Sequence, residues 1–222
     1  MCIKCETDSV YEFTNKRKVC KVCFIKWFQK KVLYTIRKFN LIKSGDLIGY
    51  KIGNDFRHVV LEDVLKMYAE KGFVELLPVC SDLQISNSEL TLSSLSLKKK
   101  LRGNVYINKK EKSLGVSQDK LRKIDKIAIP STIDLESDKI VHGIIKGDIK
   151  NLKYSGAVDG NIIKPLYLFL DKEVLLYAKL KVLKFEGIKK VKDDKISEFI
   201  NELEKKHPEV KRAVVKGMMI ND

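Results

Sequence analysis

The stretch Ser44–Gly72, SGDLIGYKIGNDFRHVVLEDVLKMYAEKG, decides the fold class of this chain. Its Ser-Gly-Asp start is a turn, and the apolar run Leu47–Ile52 behind it predicts a short buried strand. A loop at 53–55 leads into a helix predicted over Phe56–Lys71, because apolar residues recur there at helical spacing and Gly72 suits a helix end. A buried strand followed directly by a helix is the repeating unit of an α/β sheet.

The same alternation extends to both sides of this unit. Downstream, we predict strands at Phe73–Val79 and Lys126–Ile129, and helices at Asp138–Ile149, Asp171–Leu183 and Lys195–Lys206. Upstream, Phe24–Phe39 predicts an amphipathic helix, and we expect Phe24 and Trp27 to pack in a core rather than to stack on bases. Strands that alternate with helices indicate an α/β fold with a mostly parallel, Rossmann-type sheet that is covered on both faces.

Four cysteines near the N-terminus form two CxxC pairs with fourteen residues between them: Cys2, Cys5, Cys20 and Cys23. This separation is just short of the spacing that is typical of four-cysteine zinc sites. Four thiolates complete a tetrahedral shell and leave no open position for a substrate, so we predict a structural zinc ion. The fifth cysteine, Cys80, has no CxxC partner, and we expect it to be a small buried side chain.

The chain is strongly basic, with a formal net charge of +15, and the excess is concentrated at the N-terminus. Residues 1–43 hold eleven basic residues against three acids. Concentrated positive charge beside a zinc module favours a polyanionic partner that is held by counterion release, although a generally lysine-rich surface is the alternative. The predicted nucleic-acid-binding residues are Lys16, Arg17, Lys18, Lys21, Lys26, Lys30, Lys31, Arg37 and Lys38.

The length of 222 residues allows one medium-sized domain and a small appendage. We predict a zinc module with a basic helix over residues 1–43 and an α/β domain over residues 44–222. No apolar run is long enough for a membrane span, and the first residues do not form the apolar core of a signal peptide. We therefore expect a cytoplasmic protein without a membrane partner, in a compartment where thiols stay reduced.

Several segments together are typical of one family. The CxxC pairs precede a helix that ends in TIRKFNLIKSGD at residues 35–46, and IKPL occupies residues 163–166. The segment KIAIPSTIDLES at residues 126–137 is similar to K-[IL]-A-T-G-H-N-x-D-D-E-A. The chain thereby resembles the PP-loop tRNA 2-thiolation family, which includes the TtuA-type thiolases and the cytoplasmic tRNA 2-thiolation proteins. The resemblance implies a PP-loop fold of the adenine nucleotide alpha hydrolase-like (HUP) type, in which an SGGKDS loop at a helix start grips ATP.

The chain departs from this family where the family's chemistry takes place. The loop positions hold Gly53, Asn54, Asp55, Phe56, Arg57 and His58, so the serine, the paired glycines, the lysine and the aspartate of SGGKDS are missing. A bulky Phe56 and an acidic Asp55 oppose phosphate binding, although Arg57 or His58 could still contact a phosphate. The family's sulfur-carrying or cluster-binding cysteines have no counterpart, so we expect no iron–sulfur cluster.

Two carboxylates of the family's nucleotide site have counterparts here, Asp134 and Glu136. They could bind a magnesium ion, but with the phosphate loop lost we favour helix-capping and surface roles for both. The residues that would line an altered, degenerate nucleotide pocket are Gly53, Asn54, Asp55, Arg57, His58, Asp134 and Glu136. The three histidines of the chain form no ligand-like pair, and we expect each of them to be structural or exposed.

Three functional hypotheses follow, and the first is favoured. The chain is a non-catalytic family member that binds tRNA or acts as a scaffold for an active thiolase, similar to the tRNA 2-thiolation protein 2 lineage. Its expected protein partner is a catalytic thiolase paralogue, or the chain forms a homodimer. The alternative is a tRNA-modifying sulfurtransferase or adenylating enzyme that uses the altered pocket. The second alternative is a zinc-dependent nucleic-acid-binding regulator, against which the lack of a helix-turn-helix pattern argues.

Overall fold

The computed structural model describes residues 1–79, 124–148, 152, 155–187 and 195–218. Segment 84–120 and Cys80 lie outside these residues. The strands are β1 (Tyr11–Glu12), β2 (Lys18–Val19), β3 (Leu47–Lys51), β4 (Glu75–Val79), β5 (Lys126–Ala128), β6 (Val158–Asp159) and β7 (Ile162–Ile163). The helices are α1 (Lys21–Lys38), α2 (Phe56–Ala69), α3 (Ile133–Lys146), α4 (Asp171–Leu180), α5 (Lys195–Lys206) and α6 (Val210–Met218).

The central sheet has the order β4-β3-β5-β7-β6. Strand β3 pairs in parallel with β4 and β5, β5 pairs in parallel with β7, and only β6 runs antiparallel to its neighbour. The α/β fold with a mostly parallel sheet is therefore confirmed. The chain leaves β3 for β4 on one side and later returns to β5 on the other, so β3 and β5 flank a switch point, where ligands of open α/β sheets bind.

Helix α1 contributes aromatic rings to the core of the α/β fold. Phe24 and Phe28 are completely buried, and the ring of Phe28 lies 4.2 Å from that of Phe169 and 4.1 Å from that of Tyr177 on α4. Packing in a core, rather than stacking on bases, is thus confirmed for Phe24. The domain boundary at residue 43 stays a prediction, but α1 and α4 share one set of packed rings across it.

Helix α3 begins five residues before the predicted start at Asp138. Thr132 is its N-cap residue, Asp134 and Glu136 lie in the first turn, and the helix ends at Gly147 in the left-handed conformation with φ of 70°. Acidic side chains in a first turn are favourable because the N-terminus of a helix carries partial positive charge. Thr132 and Ile133 are β-branched, and the low helix propensity of such residues obscures the start of this helix in the sequence.

Several short elements were not predicted from the sequence. They are the hairpin of β1 and β2, the hairpin of β6 and β7, and helix α6. Two-residue strands are too short to show an alternating pattern. None of the helices in the described ranges combines the length and the apolar content of a bilayer-spanning segment.

Candidate functional site

The four predicted ligands come together at the start of α1. Cys20 is the N-cap residue of the helix, Cys23 lies in its first turn, and all four Sγ atoms lie within 4.8 Å of one another. The Sγ atom of Cys5 is 3.3 Å from that of Cys20 and 3.8 Å from that of Cys23. A tetrahedral ion with bonds of about 2.3 Å separates its thiolates by about 3.8 Å, so the cluster fits one shared ion.

Backbone hydrogen bonds fold the first CxxC pair against the hairpin of β1 and β2. The N–H of Cys2 donates to the carbonyl of Thr7 at 2.7 Å, and the N–H of Ile3 donates to that of Lys18 at 3.0 Å. Glu6 has φ of 56°, the left-handed conformation that occurs in tight turns. The hairpin thus brings two sequence-distant pairs into contact.

The protonation of these thiols favours a bound cation. A hydrogen bond from Thr7, helped by bonds from Cys23 and Cys5, lowers the pKa of Cys20 to about 6. Burial, together with hydrogen bonds to the other thiols, raises the pKa of Cys23 to about 12. Thiolates this close cannot all ionise without a positive charge between them. Helix α1 also has no acid in its first turn, so bound thiolates would supply negative charge at its positive end.

At the switch point, the start of α2 is occupied by its own carboxylate. Asp55 is the N-cap residue, and its Oδ1 accepts from the N–H of His58 at 2.9 Å and lies 2.7 Å from Nδ1 of the same ring. Burial opposes ionisation, yet the hydrogen bonds of His58 lower the pKa of Asp55 to about 2. A Cβ at Gly53 would lie 2.6 Å from this ring. The backbone donors that a phosphate would use are therefore partly taken.

Arg57 is held by a carboxylate at the start of a different helix. Its Nε donates to Oδ1 of Asp171 at 2.8 Å, and its Nη2 forms a second, short contact with the same group. The hydroxyl of Thr132 also donates to Asp171, at 2.7 Å. Arg57 therefore has two carboxylate partners, Asp171 through this two-pronged pair and Asp55 at 3.6 Å.

The two carboxylates that the family resemblance singled out have different environments. Asp134 accepts from the N–H of Asp171 at 2.7 Å and from Nζ of Lys211 on α6 at 2.7 Å, which fits the expected capping role. The surface role expected for Glu136 is wrong, because Glu136 is completely buried. It pairs with Nζ of buried Lys164 at 3.0 Å and accepts from Ser131, since a buried carboxylate needs such partners. Asn54, another residue of the predicted pocket, donates from its Nδ2 to Oε1 of Glu186 at 2.8 Å.

Most of the predicted nucleic-acid-binding residues lie on the surface of the N-terminal part. The exposed members are Lys16, Arg17, Lys18, Lys21, Lys26, Lys30, Arg37 and Lys38. Lys31 does not belong to this surface: its side chain is 17% exposed and its Nζ lies 3.2 Å from Oε2 of Glu173. The ammonium group also sits 4.7 Å from the ring centre of Trp27 and 4.5 Å from that of Phe169.

Sequence reasoning missed two features of this region. Glu173 is completely buried and accepts from Lys31, from Arg212 at 2.7 Å and from the N–H of Leu170 at 3.0 Å. No local pattern reveals that this carboxylate is a buried centre, because its two cationic partners come from two other helices, α1 and α6. Tyr34, in contrast, could have been found: it follows Lys26 and Lys30 at four-residue steps and is 55% exposed.

Comparison with known proteins supports the fold through a similar solved structure, whereas similarity at the level of sequence is low. No family model and no curated protein sequence matches the chain. Among solved structures, the U34-tRNA thiolase NcsA from Methanococcus maripaludis, described with its [4Fe-4S] cluster, is similar with a TM-score of 0.71 and 19% identity. The match covers 98% of this chain and 85% of the thiolase chain. This chain therefore has the α/β fold of a tRNA thiolase, with a four-cysteine cluster at its N-terminus.

Proposed function

We propose that this chain is a non-catalytic member of the tRNA uridine 2-thiolation family that binds tRNA and serves as a scaffold for an active thiolase. The observation that carries the proposal is that the protein's own carboxylates occupy the site at the start of α2 where a phosphate would bind. Asp55 occupies the start of α2, and Asp171 holds Arg57 there. The fold similarity to a tRNA thiolase supports the choice of family. The partner is a catalytic paralogue or a second copy, and the expected location is the cytoplasm.

The pocket disfavours ATP for reasons of charge as well as shape. A triphosphate that entered at the start of α2 would meet the ionised Asp55 and would have to displace Asp171 from Arg57. Each displacement breaks a charge-assisted hydrogen bond, a class about twice as strong as neutral ones. Lys211 is likewise engaged, by Asp134 at 2.7 Å and Glu204 at 2.7 Å. The nearby cations thus already have protein partners.

Titration calorimetry with magnesium-ATP tests the non-catalytic assignment. We expect no saturable heat at micromolar ATP, and no rise in the melting temperature at millimolar ATP. Micromolar affinity that Arg57→Ala abolishes, and that the exposed control Lys179→Ala preserves, would contradict the proposal. Formation of adenylated tRNA by the purified protein alone would favour the enzymatic alternative.

For the cysteine cluster we propose a structural zinc ion rather than a cluster of the kind named for the similar thiolase. A [4Fe-4S] cluster binds its four thiolates to four different iron atoms, which keeps them further apart than a single shared ion does. Sulfur atoms within 4.8 Å of one another favour the single ion. Four thiolate ligands and no nitrogen or oxygen ligand are also the chemistry of structural zinc.

Metal analysis of the purified protein and two variants tests this choice. We expect one zinc per chain in the parent protein, near-complete loss in Cys20→Ser, and retention in Cys80→Ser, which removes a cysteine outside the CxxC pairs. If the parent protein instead contains iron with acid-labile sulfide, and Cys20→Ser loses both, the zinc assignment is wrong and the four cysteines bind an iron–sulfur cluster.

A further inference from the structure

We propose that the exposed face of α1 is an RNA-binding surface in which Tyr34 stacks on an unpaired base while flanking cations hold the phosphates. This face consists of Lys26, Lys30, Tyr34, Arg37 and Lys38, all of which are exposed. The inference rests on the proposed tRNA binding and deepens it by assigning a base-contacting residue.

The charge of α1 indicates that its exposed face binds a polyanion and is not simply a solvated surface. The helix contains six basic residues and no acid over its eighteen residues. A helix face that is merely solvated carries both signs, which support each other at four-residue spacing. Here Lys26, Lys30 and Arg37 repel one another, and Lys21 lies at the positive end of the helix dipole. Such an arrangement costs folding free energy, which an anionic partner would recover.

Tyr34 stands apart from the other aromatic residues of α1. Phe24 and Phe28 are buried and Trp27 packs against Phe13 at 4.7 Å, whereas Tyr34 is 55% exposed. Its ring lies one helical turn from Lys30 and one from Lys38, about 6 Å along the axis in each direction. Nζ of Lys38 is 5.9 Å from the ring centre. A base stacked on Tyr34 would therefore have cations on both sides for its own and the neighbouring phosphates.

The combination favours unpaired RNA over a duplex. A ring on a helix surface can stack only on a base whose face is free, and bases inside a duplex are covered by their neighbours. Base–aromatic stacking of this kind is independent of sequence and adds to a salt-dependent backbone attraction. The two contributions can be separated by experiment, because only the second depends on ionic strength.

Fluorescence anisotropy with two labelled probes tests the proposal: an RNA hairpin with a wide unpaired loop, and an RNA duplex of equal charge. We expect Tyr34→Ala to weaken binding of the loop RNA about 5- to 150-fold, the range for one lost stack, without changing the salt dependence. Tyr34→Phe should bind normally, and duplex binding should be unaffected by either variant. Lys30→Ala should lower the salt slope by about 0.7.

The matched control is Phe199→Ala on α5, because Phe199 is also 55% exposed but lies on a helix that carries Glu198 and Glu202. It should leave both probes unaffected. If Tyr34→Ala binds the loop RNA normally while Lys30→Ala weakens it, the stacking inference is overturned and tRNA binding stands. If the parent protein binds neither the two probes nor tRNA, both the proposed tRNA binding and the stacking inference are contradicted. Equal loss of duplex and loop binding in Tyr34→Ala would also overturn the stacking role.

Discussion

At the scale of single residues, the buried pair of Lys31 and Glu173 connects the basic helix to the core. Glu173 also accepts from Arg212 on α6, so one carboxylate neutralises cations from two other helices. Burial lowers the pKa of Lys31 to about 8, against the opposing attraction of Glu173. Lys31, which the sequence alone groups with the basic surface, is thus a structural residue, and its contribution to stability can be measured.

Removing the carboxylate should destabilise the fold strongly. Glu173→Gln removes the buried carboxylate that pairs with Lys31 at 3.2 Å. Arg212 then keeps only its contact with Glu209, at 3.4 Å. Breaking a buried pair on one side costs about 3–5 kcal/mol. Urea unfolding followed by circular dichroism measures the loss. The neighbouring exposed substitution Lys172→Gln serves as control and should change the free energy of unfolding by less than about 0.5 kcal/mol. A loss in Glu173→Gln as small as the control's would show that the pair contributes little.

The lowered pKa of Lys31 also predicts a pH dependence. Between its folded value of about 8 and its ordinary value of 10.5, the unfolded chain binds one proton more than the folded chain. Stability that depends on this lysine therefore rises with pH in this window, by about 1–2 kcal/mol at pH 9.5. Urea titrations from pH 7.5 to about 9.5 should show a steeper rise in the parent protein than in Lys31→Met. Parallel profiles would mean that Lys31 keeps its ordinary pKa when folded.

At the scale of elements, α1 is anchored at its first turn and near its middle by different means. The cysteine cluster surrounds its first turn, while Phe28 packs between Phe169 and Tyr177 further along. These two anchors should respond differently to loss of metal, because a chelator removes only the first.

Chelation should therefore release the N-terminal hairpin but not the whole helix. We expect amide protons of residues 2–20 and of the first turn of α1 to exchange faster after treatment with a strong chelator, while those of residues 28–38 stay protected. Hydrogen exchange with mass spectrometry resolves the two segments. Loss of protection along all of α1 would show that the metal supports the helix beyond its first turn. Cys80→Ser, treated in the same way, should behave like the parent protein.

The elements show where sequence patterns are sufficient and where they are not. Helix α5 has the predicted bounds, and β3 and α2 differ from prediction by one and two residues. Helical periodicity defines the two helices, and a short apolar run behind a clear turn defines β3. Helix α6 escaped prediction because it is short and is stabilised by distant partners such as Asp134. The cysteine ligands could be predicted because their chemistry is encoded in local spacing. The pairing of Arg57 with Asp171 could not, because it depends on the tertiary fold.

At the scale of the whole molecule, the exposed basic surface predicts salt-dependent tRNA binding. Lys16, Arg17 and Lys18 are exposed, and the 3.5 Å pair of Lys18 with Glu12 is a weak surface contact. Replacing all three by alanine should reduce the slope of log affinity against log salt by about two to three. Filter binding of tRNA between low and physiological salt measures the slope.

A matched triple substitution of the exposed lysines on α5, at Lys195, Lys205 and Lys206, provides the control. It removes the same charge from the molecule without touching the N-terminal surface, so it should change the slope much less. Equal effects of the two triple variants would indicate that net charge, and not a defined surface, governs the affinity.

The position of α1 in the chain has a consequence for synthesis on the ribosome. Its aromatic face packs against Phe169 and Tyr177, which follow much later in the sequence. At roughly 5–20 residues per second, on the order of ten seconds pass before α4 is available to cover that face. The cysteine pairs, in contrast, are complete as soon as residue 23 emerges, so metal can order the hairpin while Phe24 and Phe28 are still uncovered. We therefore expect nascent chains of this protein to depend on chaperones during that interval, and more strongly when the metal that the cysteines bind is scarce.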